Sequence, residues 1–238
     1  MNICIDIGNT FTKTAVFDID TLVDFNSFSE FGFTEFEALI KKYEIKKGII
    51  SSVRNDNLSF NPASILESLI VLDSDTKIPI VNRYETPETL GKDRLAAVIG
   101  ANFLYPSNDV LVIDAGSAIT FDFINANGEY KGGNIAPGLT MRFKALHEFT
   151  SSLPLLTSAD DIPFIGTNTK EAIIAGVQNS VTFETDTYIN LFNNLFPGMI
   201  TLITGGDANF FDNKLKNTIF VIPNLVLIGL NRILNFNA

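Results

Sequence analysis

Cysteine and histidine each occur once in the 238 residues, and tryptophan does not occur at all. The lone cysteine, Cys4, lies in an apolar stretch. No disulfide framework can form within the chain, which fits a reduced compartment. The lone histidine, His147, leaves nothing from which to build a His-based zinc site or a Ser-His-Asp triad, and it suits a helix surface. Basic residues are scarce: 17 Lys and Arg stand against 27 Asp and Glu, for a net charge of −10. That balance argues against duplex nucleic acid or an anionic membrane as the main partner. A small anionic substrate stays open, because a pocket can be locally positive. No apolar run reaches the ~18 residues of a spanning helix, and the basic-then-apolar pattern of a signal peptide is missing. A cytoplasmic location is the expectation. Neither a G-x-x-x-x-G-K-[ST] loop nor a G-x-G-x-x-G turn is present, so any nucleotide is held differently from those two designs.

What is present is a short element used twice. Ile5-Asp6-Ile7-Gly8-Asn9-Thr10-Phe11-Thr12-Lys13 opens the chain, and Ile113-Asp114-Ala115-Gly116-Ser117-Ala118-Ile119-Thr120-Phe121 repeats its plan. Each is an apolar strand ending in Asp, a Gly turn with small polar residues, and a second strand. The offset, 114 − 6 = 108, is nearly half the chain. With 46% hydrophobic and 18% charged residues there is ample material for cores. The repeat favours two domains, 1–108 and 109–238, divided at the Tyr105–Asp109 turn.

Periodicity gives the same outline twice: three strands in a meander, then helices alternating with strands. Strands are predicted at 2–7, 12–18 and 22–28. Thr34 and Glu37 predict a capping box for a helix with Phe36, Leu39, Ile40 and Tyr43 on one face. Residues 48–53 read as a strand, 62–69 as a helix opened by Pro62, and 78–81 as a further strand. From Asp93, Leu95, Val98, Ile99 and Phe103 mark a helix stopped by Pro106. The second half restarts with strands at 110–115, 119–124 and 129–135, then a helix after Pro137-Gly138. Asn168 and Glu171 predict a second capping box, with Ile173, Val177 and Val181 as the buried stripe. Strands at 199–204 and 219–222 and a helix over 225–234 close the chain. The class is a duplicated mixed-sheet α/β architecture.

The repeated element suits nucleotide phosphates. A Gly turn lets backbone N–H groups approach phosphate oxygens, Thr10 and Thr12 offer hydroxyls, and Lys13 offers charge. Asp6 would repel phosphate directly, so its sensible part is to hold a hydrated Mg²⁺. Ser117 and Thr120 repeat the hydroxyls, and Asp114 offers a carboxylate for a cation. Thr204-Gly205-Gly206-Asp207-Ala208 is a glycine pair on which an adenosine could lie flat. One such hairpin would be ordinary Asp and Asn turn chemistry. Two at domain-scale spacing point to a phosphate clamp.

Five motifs stand in order: D-x-G-N-T (Asp6 to Thr10), G-x-D-R (Gly91 to Arg94), D-x-G-[ST]-A-x-T (Asp114 to Thr120), G-G-x-I-x-P-G (Gly132 to Gly138) and G-x-N-T (Gly166 to Thr169). Together they resemble the type III pantothenate kinase family, within the superfamily of acetate and sugar kinases, heat-shock ATPases and actin. The resemblance covers nearly the whole chain. It implies two actin-like (ribonuclease H-like) domains and transfer of the ATP γ-phosphoryl group to the 4′-hydroxyl of pantothenate, the first step toward coenzyme A. By matching position it implies that Asp6, Ile7, Gly8, Asn9, Thr10, Phe11, Thr12 and Lys13 bind ATP, with Ser117 at the position of an ATP-contacting Thr. Asp93 becomes the proton acceptor. Tyr84, Gly91, Lys92, Asp93, Arg94 and Thr169 become pantothenate contacts. Asp114 becomes the ligand of a monovalent cation, potassium or ammonium. A homodimer is implied as well. Two positions depart from the pattern: Lys92 replaces a small residue, and Ser117 keeps the hydroxyl of Thr but loses its methyl.

Each of these residues also has a plainer reading. Asp93 is a favourable first-turn helix acid, Arg94 a surface salt-bridge partner and Thr169 an ordinary capping residue; Arg142, after the Pro-Gly turn, is a further candidate for reaching an anionic substrate. A carboxylate beside a substrate alcohol can orient it and take its proton. An arginine can hold a carboxylate bidentately or steady a phosphoryl group in transfer. The alternatives are a kinase for another small alcohol and a nucleotide-binding regulator without turnover. The regulator should lack a catalytic carboxylate or the substrate motif, whereas Asp6, Asp93, Asp114 and Thr169 are all present.

Overall fold

A computed structural model describes residues 1–53, 60–212 and 214–238. In chain order its main elements begin with β1 (Asn2–Ile7), β2 (Thr12–Asp18), β3 (Thr21–Phe28), α1 (Phe33–Tyr43), β4 (Lys47–Ser52), β5 (Ser68–Val71), β6 (Val81–Asn82) and α2 (Lys92–Leu104). They continue with β7 (Val110–Ala115), β8 (Ala118–Ile124), β9 (Glu129–Pro137), α3 (Leu139–Glu148), α4 (Thr169–Leu195), β10 (Ile200–Thr204), α5 (Ala208–Phe211), β11 (Phe220–Val221) and α6 (Leu225–Phe236).

Two compact units result. The first comprises 1–108, 124–132 and 224–238; the second comprises 109–123 and 133–223. The first unit carries the sheet β3-β2-β1-β4-β5. β1 pairs antiparallel with β2 and parallel with β4, so the meander's first strand is also the centre of the sheet. The second unit carries β9-β8-β7-β10-β11, with β10 parallel to both β7 and β11. The two orders are the same topology written twice: a three-strand meander whose first strand is flanked by a parallel strand and then another. This is the duplicated mixed-sheet α/β fold. The short β6 pairs in parallel with the first residues of β9, Val81 against Glu129 and Asn82 against Tyr130, all within the first unit.

Register assigns the faces. In β1, Ile3, Ile5 and Ile7 point to one face and join Val16, Ile50, Phe36 and Leu39 in an apolar cluster under α1. Cys4 and Asp6 point to the other. The second unit's core gathers Leu111, Ile113, Phe121 and Ile203 from its sheet with Ile173, Val177 and Val181 of α4, the stripe that periodicity predicts. In the first unit α6 packs against α2 with the backbones almost touching: a Cβ on Gly229 would fall 1.8 Å from the Ala96 carbonyl oxygen. The C-terminal helix is also tied to β1, since the Asn2 carboxamide donates to the Asn231 and Asn235 side chains at 3.0 and 2.8 Å.

Three local expectations need correction. The α1 box sits earlier than Thr34 and Glu37: the Glu35 carboxylate accepts from the Gly32 N–H at 3.0 Å, and glycine is an acceptable N-cap because the backbone group does the work. Residues 62–69 hold only a single 3₁₀ turn, Pro62–Ser64, capped by Asn61. Ser68–Val71 then pairs in parallel with Lys47–Ile50, so tertiary pairing overrides the local helix signal. The 78–81 strand shrinks to Val81–Asn82. Pro79 has no N–H to give, and pairing begins where the Val81 N–H reaches the Gly128 carbonyl at 2.9 Å.

Candidate active site

The first unit holds the N-terminal turn and the G-x-D-R segment. Asp6, the next-to-last residue of β1, is buried at 8% exposed, directly across from Lys13 on β2 and Ser51 on β4. Ile7 and Thr12 are buried with it, while Asn9, Thr10 and Phe11 reach the surface. The Gly8 N–H donates to the Phe11 carbonyl at 3.0 Å and closes the hairpin. The arrangement offers one carboxylate, one lysine and hydroxyls around a tight turn.

Gly91 caps α2, and its backbone passes so near the next turn that a Cβ there would lie 2.6 Å from Asp93 Oδ1. That oxygen accepts from the Arg94 N–H at 2.8 Å. Asp93 is half-buried and Arg94 buried, at 5% exposed. The Arg94 guanidinium lies over the half-buried Tyr84 ring, 5.7 Å from its centroid. Tyr84, Gly91, Asp93 and Arg94 therefore come together from two segments of one unit. Lys92 is half-buried, and its charge reaches the turn at Asp73. The Thr76 hydroxyl chiefly holds that carboxyl below the ordinary range, with neighbouring N–H groups and, last, Lys92 adding to the effect.

At the outer edge of the same unit, Glu129 accepts from Lys131 Nζ at 2.6 Å, Arg83 Nη2 at 2.8 Å and Asn125 Nδ2 at 3.0 Å. These bonds, Lys131 first, hold its carboxyl down to about 2 from an ordinary 4.5. A lowered folded value means that the unfolded chain binds the proton more readily. The stabilisation is present above pH 4.5 and is lost as pH falls toward about 2. Glu129→Gln is expected to lower the thermal midpoint above pH 4.5 and to flatten the acid limb of the unfolding profile, so that variant and wild type converge as pH falls toward about 2. An identical acid limb in the variant would contradict the assignment.

The second unit holds the repeat. Asp114 lies at the end of β7, half-buried, and the Gly116 N–H donates to the Ala118 carbonyl at 3.0 Å, so this turn is tighter than the first. Ser117 is exposed at its tip, and Thr120 Oγ1 is buried with no partner among the described residues. Gly205 crosses beside Asp114 at φ +96°, where a Cβ would lie 2.3 Å from the Ala115 carbonyl oxygen and 2.5 Å from Asp114 Oδ1. Only glycine allows that approach and that backbone angle together. Burial raises the carboxyl of the nearby Asp207. Thr169 is the exposed first residue of α4, and the Asn168 carboxamide oxygen caps the Glu171 N–H at 3.0 Å. Glu171 reaches back to the Thr167 N–H and hydroxyl, one residue beyond the expected box. Arg142 is committed elsewhere: it donates to Glu184 at 2.8 Å and to the Pro137 carbonyl at 2.9 Å, so it is not an available anion site.

Among the described residues no group of three or more His, Cys, Asp or Glu could hold a metal ion. A divalent ion would arrive with phosphate oxygens, not in a protein cage, which is the usual habit of Mg²⁺. The aromatic neighbour of Tyr84 went unmarked by any motif. Tyr130, fully buried on β9, stacks on the Tyr84 ring, and only the parallel pairing of β6 with β9 brings the two together.

A model of the type III pantothenate kinase family matches residues 2–190. A type III pantothenate kinase from Bacteroides fragilis is 45% identical over 239 residues, covering 100% of this chain and 98% of the relative. Among solved structures, one titled as a Baf family transcriptional activator, a description its title leaves provisional, comes from Campylobacter jejuni. It superposes with a TM-score of 0.60 at 21% identity, over 99% of this chain and 98% of that one. The activator of 2-hydroxyisocaproyl-CoA dehydratase from Clostridium difficile, solved with bound ADPNP, gives 0.61 at 16% identity, over 99% and 94%. At these identities the structures share the fold alone.

Proposed function

The chain belongs to the type III pantothenate kinase family and phosphorylates pantothenate in coenzyme A biosynthesis, and we propose that the Gly91–Arg94 turn carries the chemistry. The pantothenate 4′-hydroxyl oxygen attacks the ATP γ-phosphorus, the bond to the β-γ bridging oxygen breaks, and ADP leaves. The hydroxyl proton passes to Asp93. Phosphoryl transfer of this kind is loose, so positioning and charge do most of the work. The supporting observation is the Asp93 carboxylate held half-buried against Gly91, beside a buried arginine and a tyrosine ring.

Other residues take the parts that their positions suit. Asp6, Ile7, Gly8, Asn9, Thr10, Phe11, Thr12 and Lys13 take the ATP phosphates with Ser117, while Tyr84, Gly91, Lys92, Arg94 and Thr169 contact pantothenate. Asp6 would hold, through water, the Mg²⁺ that ATP brings, whose chemistry would be to neutralise phosphate charge. Asp114 would hold potassium or ammonium. Support for this is the pair of oxygens, Asp114 Oδ1 and the Ala115 carbonyl, that converge where Gly205 has no side chain. Such ions take carboxylate and carbonyl oxygens. We keep the duplicated halves, 1–108 and 109–238, as domains by descent.

A homodimer fits the second unit, which leaves Phe149, Phe164 and Ile165 at 88%, 73% and 74% exposed, apolar side chains that a second copy could cover. A cytoplasmic setting is the reading that ATP as donor and the buried, unpaired Cys4 support. No helix among the described residues is long and apolar enough to cross a membrane.

The test is a coupled ADP-release assay with ATP, Mg²⁺, ammonium and pantothenate. ADP release is expected only when pantothenate is present, with 4′-phosphopantothenate identified by mass spectrometry, and activity is expected to fall when sodium replaces ammonium. ATP binding without turnover would move the assignment to another small alcohol or to a regulator. Indifference to sodium would remove the Asp114 role.

A further inference from the structure

Tyr84 meets three groups within the first unit. The Arg94 guanidinium lies 5.7 Å from its ring centroid. The Tyr130 ring, fully buried, stacks on it with centroids 6.1 Å apart and planes inclined by 10°. The Gly132 backbone runs along its edge, where a Cβ would sit 3.5 Å from Tyr84 Cδ2.

Backbone pairing explains the arrangement. Val81 and Asn82 pair with Glu129 and Tyr130, and the Arg83 N–H then donates to the Tyr130 carbonyl at 3.0 Å. The Asn82 carboxamide oxygen accepts from the Tyr84 N–H at 3.0 Å and turns the chain at this point. The Arg83–Glu129 ion pair, at 2.8 Å, closes the same pairing on its outer side. Tyr130 and Gly132 are two residues apart on β9, so both face the ring. Gly132 stands at φ +107°, which a side chain would resist, so the strand edge stays bare where the Tyr84 ring lies against it.

We infer that Tyr130 is a positioning residue for pantothenate binding: with Gly132 it fixes the plane of the Tyr84 ring beside Arg94. The substrate then meets a preformed wall, an aromatic face for its methyl and amide groups and a guanidinium for its carboxylate. Near-parallel rings hold each other in orientation, and a buried partner cannot rotate away. The inference rests on Tyr84 and Arg94 being substrate contacts.

A mutant cycle of Tyr84→Ala, Tyr130→Leu and the double variant tests it, with KM for pantothenate, KM for ATP, kcat and thermal midpoint read for each. Tyr130→Leu is expected to raise the pantothenate KM about tenfold, as a displaced contact does, with ATP KM and kcat near wild type. Tyr130→Phe, which keeps the ring, restores it. The double variant should have the same pantothenate KM as Tyr84→Ala alone, because residues acting through one another are non-additive. If Tyr84→Ala raises the pantothenate KM but Tyr130→Leu lowers only the thermal midpoint, Tyr130 is core packing and the inference falls while the Tyr84 assignment stands. Failure of Tyr84→Ala to change the pantothenate KM would overturn both. Should Tyr130→Leu not fold, Gly132→Ala replaces it: the same rise in pantothenate KM is expected, and an unchanged KM would overturn the positioning role.

Discussion

Asp93→Asn is expected to lower kcat by ~10²- to 10⁴-fold, the range that general-base catalysis contributes. Binding of ATP should stay close to wild type. The substitution is clean because asparagine keeps an oxygen at Oδ1. That oxygen can still accept from the Arg94 N–H, as the aspartate does at 2.8 Å, and it fits beneath Gly91 as before. The start of α2, and with it Arg94 and its place over Tyr84, is therefore preserved. What disappears is the negative charge that orients the 4′-hydroxyl and takes its proton. Single-turnover measurements with ATP in excess separate the two effects, because a loss confined to the chemical step leaves the nucleotide concentration dependence in place. Turnover near the wild-type rate would show that Asp93 is only a favourable first-turn acid.

The strands of both meanders were legible in the sequence because they run six to nine residues, mostly apolar or alternating, between turns rich in Gly, Asn or Asp. α4 was legible for the same reason at helical period, and its Asn168 cap lies where the spacing of Asn168 and Glu171 puts it. The segment from 62 to 81 was not. Pro62 does open a helical turn, but the pairing of Ser68–Val71 beside β4 ends it, and that pairing depends on residues some twenty positions away. The α1 cap was misplaced because glycine has no side chain to advertise the role, and Glu35 supplies the carboxylate instead. In the candidate site, motifs marked Asp6, the Gly91–Arg94 turn and Asp114, each on a short local turn. They could not mark Tyr130, whose significance arises only when β6 lies parallel to β9. Nor could they show that Arg142 is already taken by Glu184, 42 residues later.

Gly229→Ala should destabilise the protein by about 3 kcal/mol, since inserting a methyl group where backbones touch forces them apart. For a chain of this size that corresponds to a thermal midpoint lower by roughly 10 °C. The new Cβ would stand 1.8 Å from the Ala96 carbonyl oxygen, 2.6 Å from its carbon and 3.0 Å from the Gly100 nitrogen, all backbone atoms of α2. No rotamer change relieves such a clash, so α2 must move away from α6. Ala96 lies one turn beyond Asp93, and Asp93 and Arg94 ride on the first turn of α2. The same displacement should therefore lower kcat in the fraction that remains folded, although Gly229 touches no substrate. Gly176→Ala in α4 is the matched control, because a Cβ there meets nothing within 4 Å. It is expected to be neutral or to stabilise by up to ~1 kcal/mol through helix propensity. Equal thermal midpoints for the two variants would mean that the α2–α6 contact is looser than described. A lowered midpoint with unchanged kcat would mean that the first turn of α2 is held in place independently of the helix packing behind it.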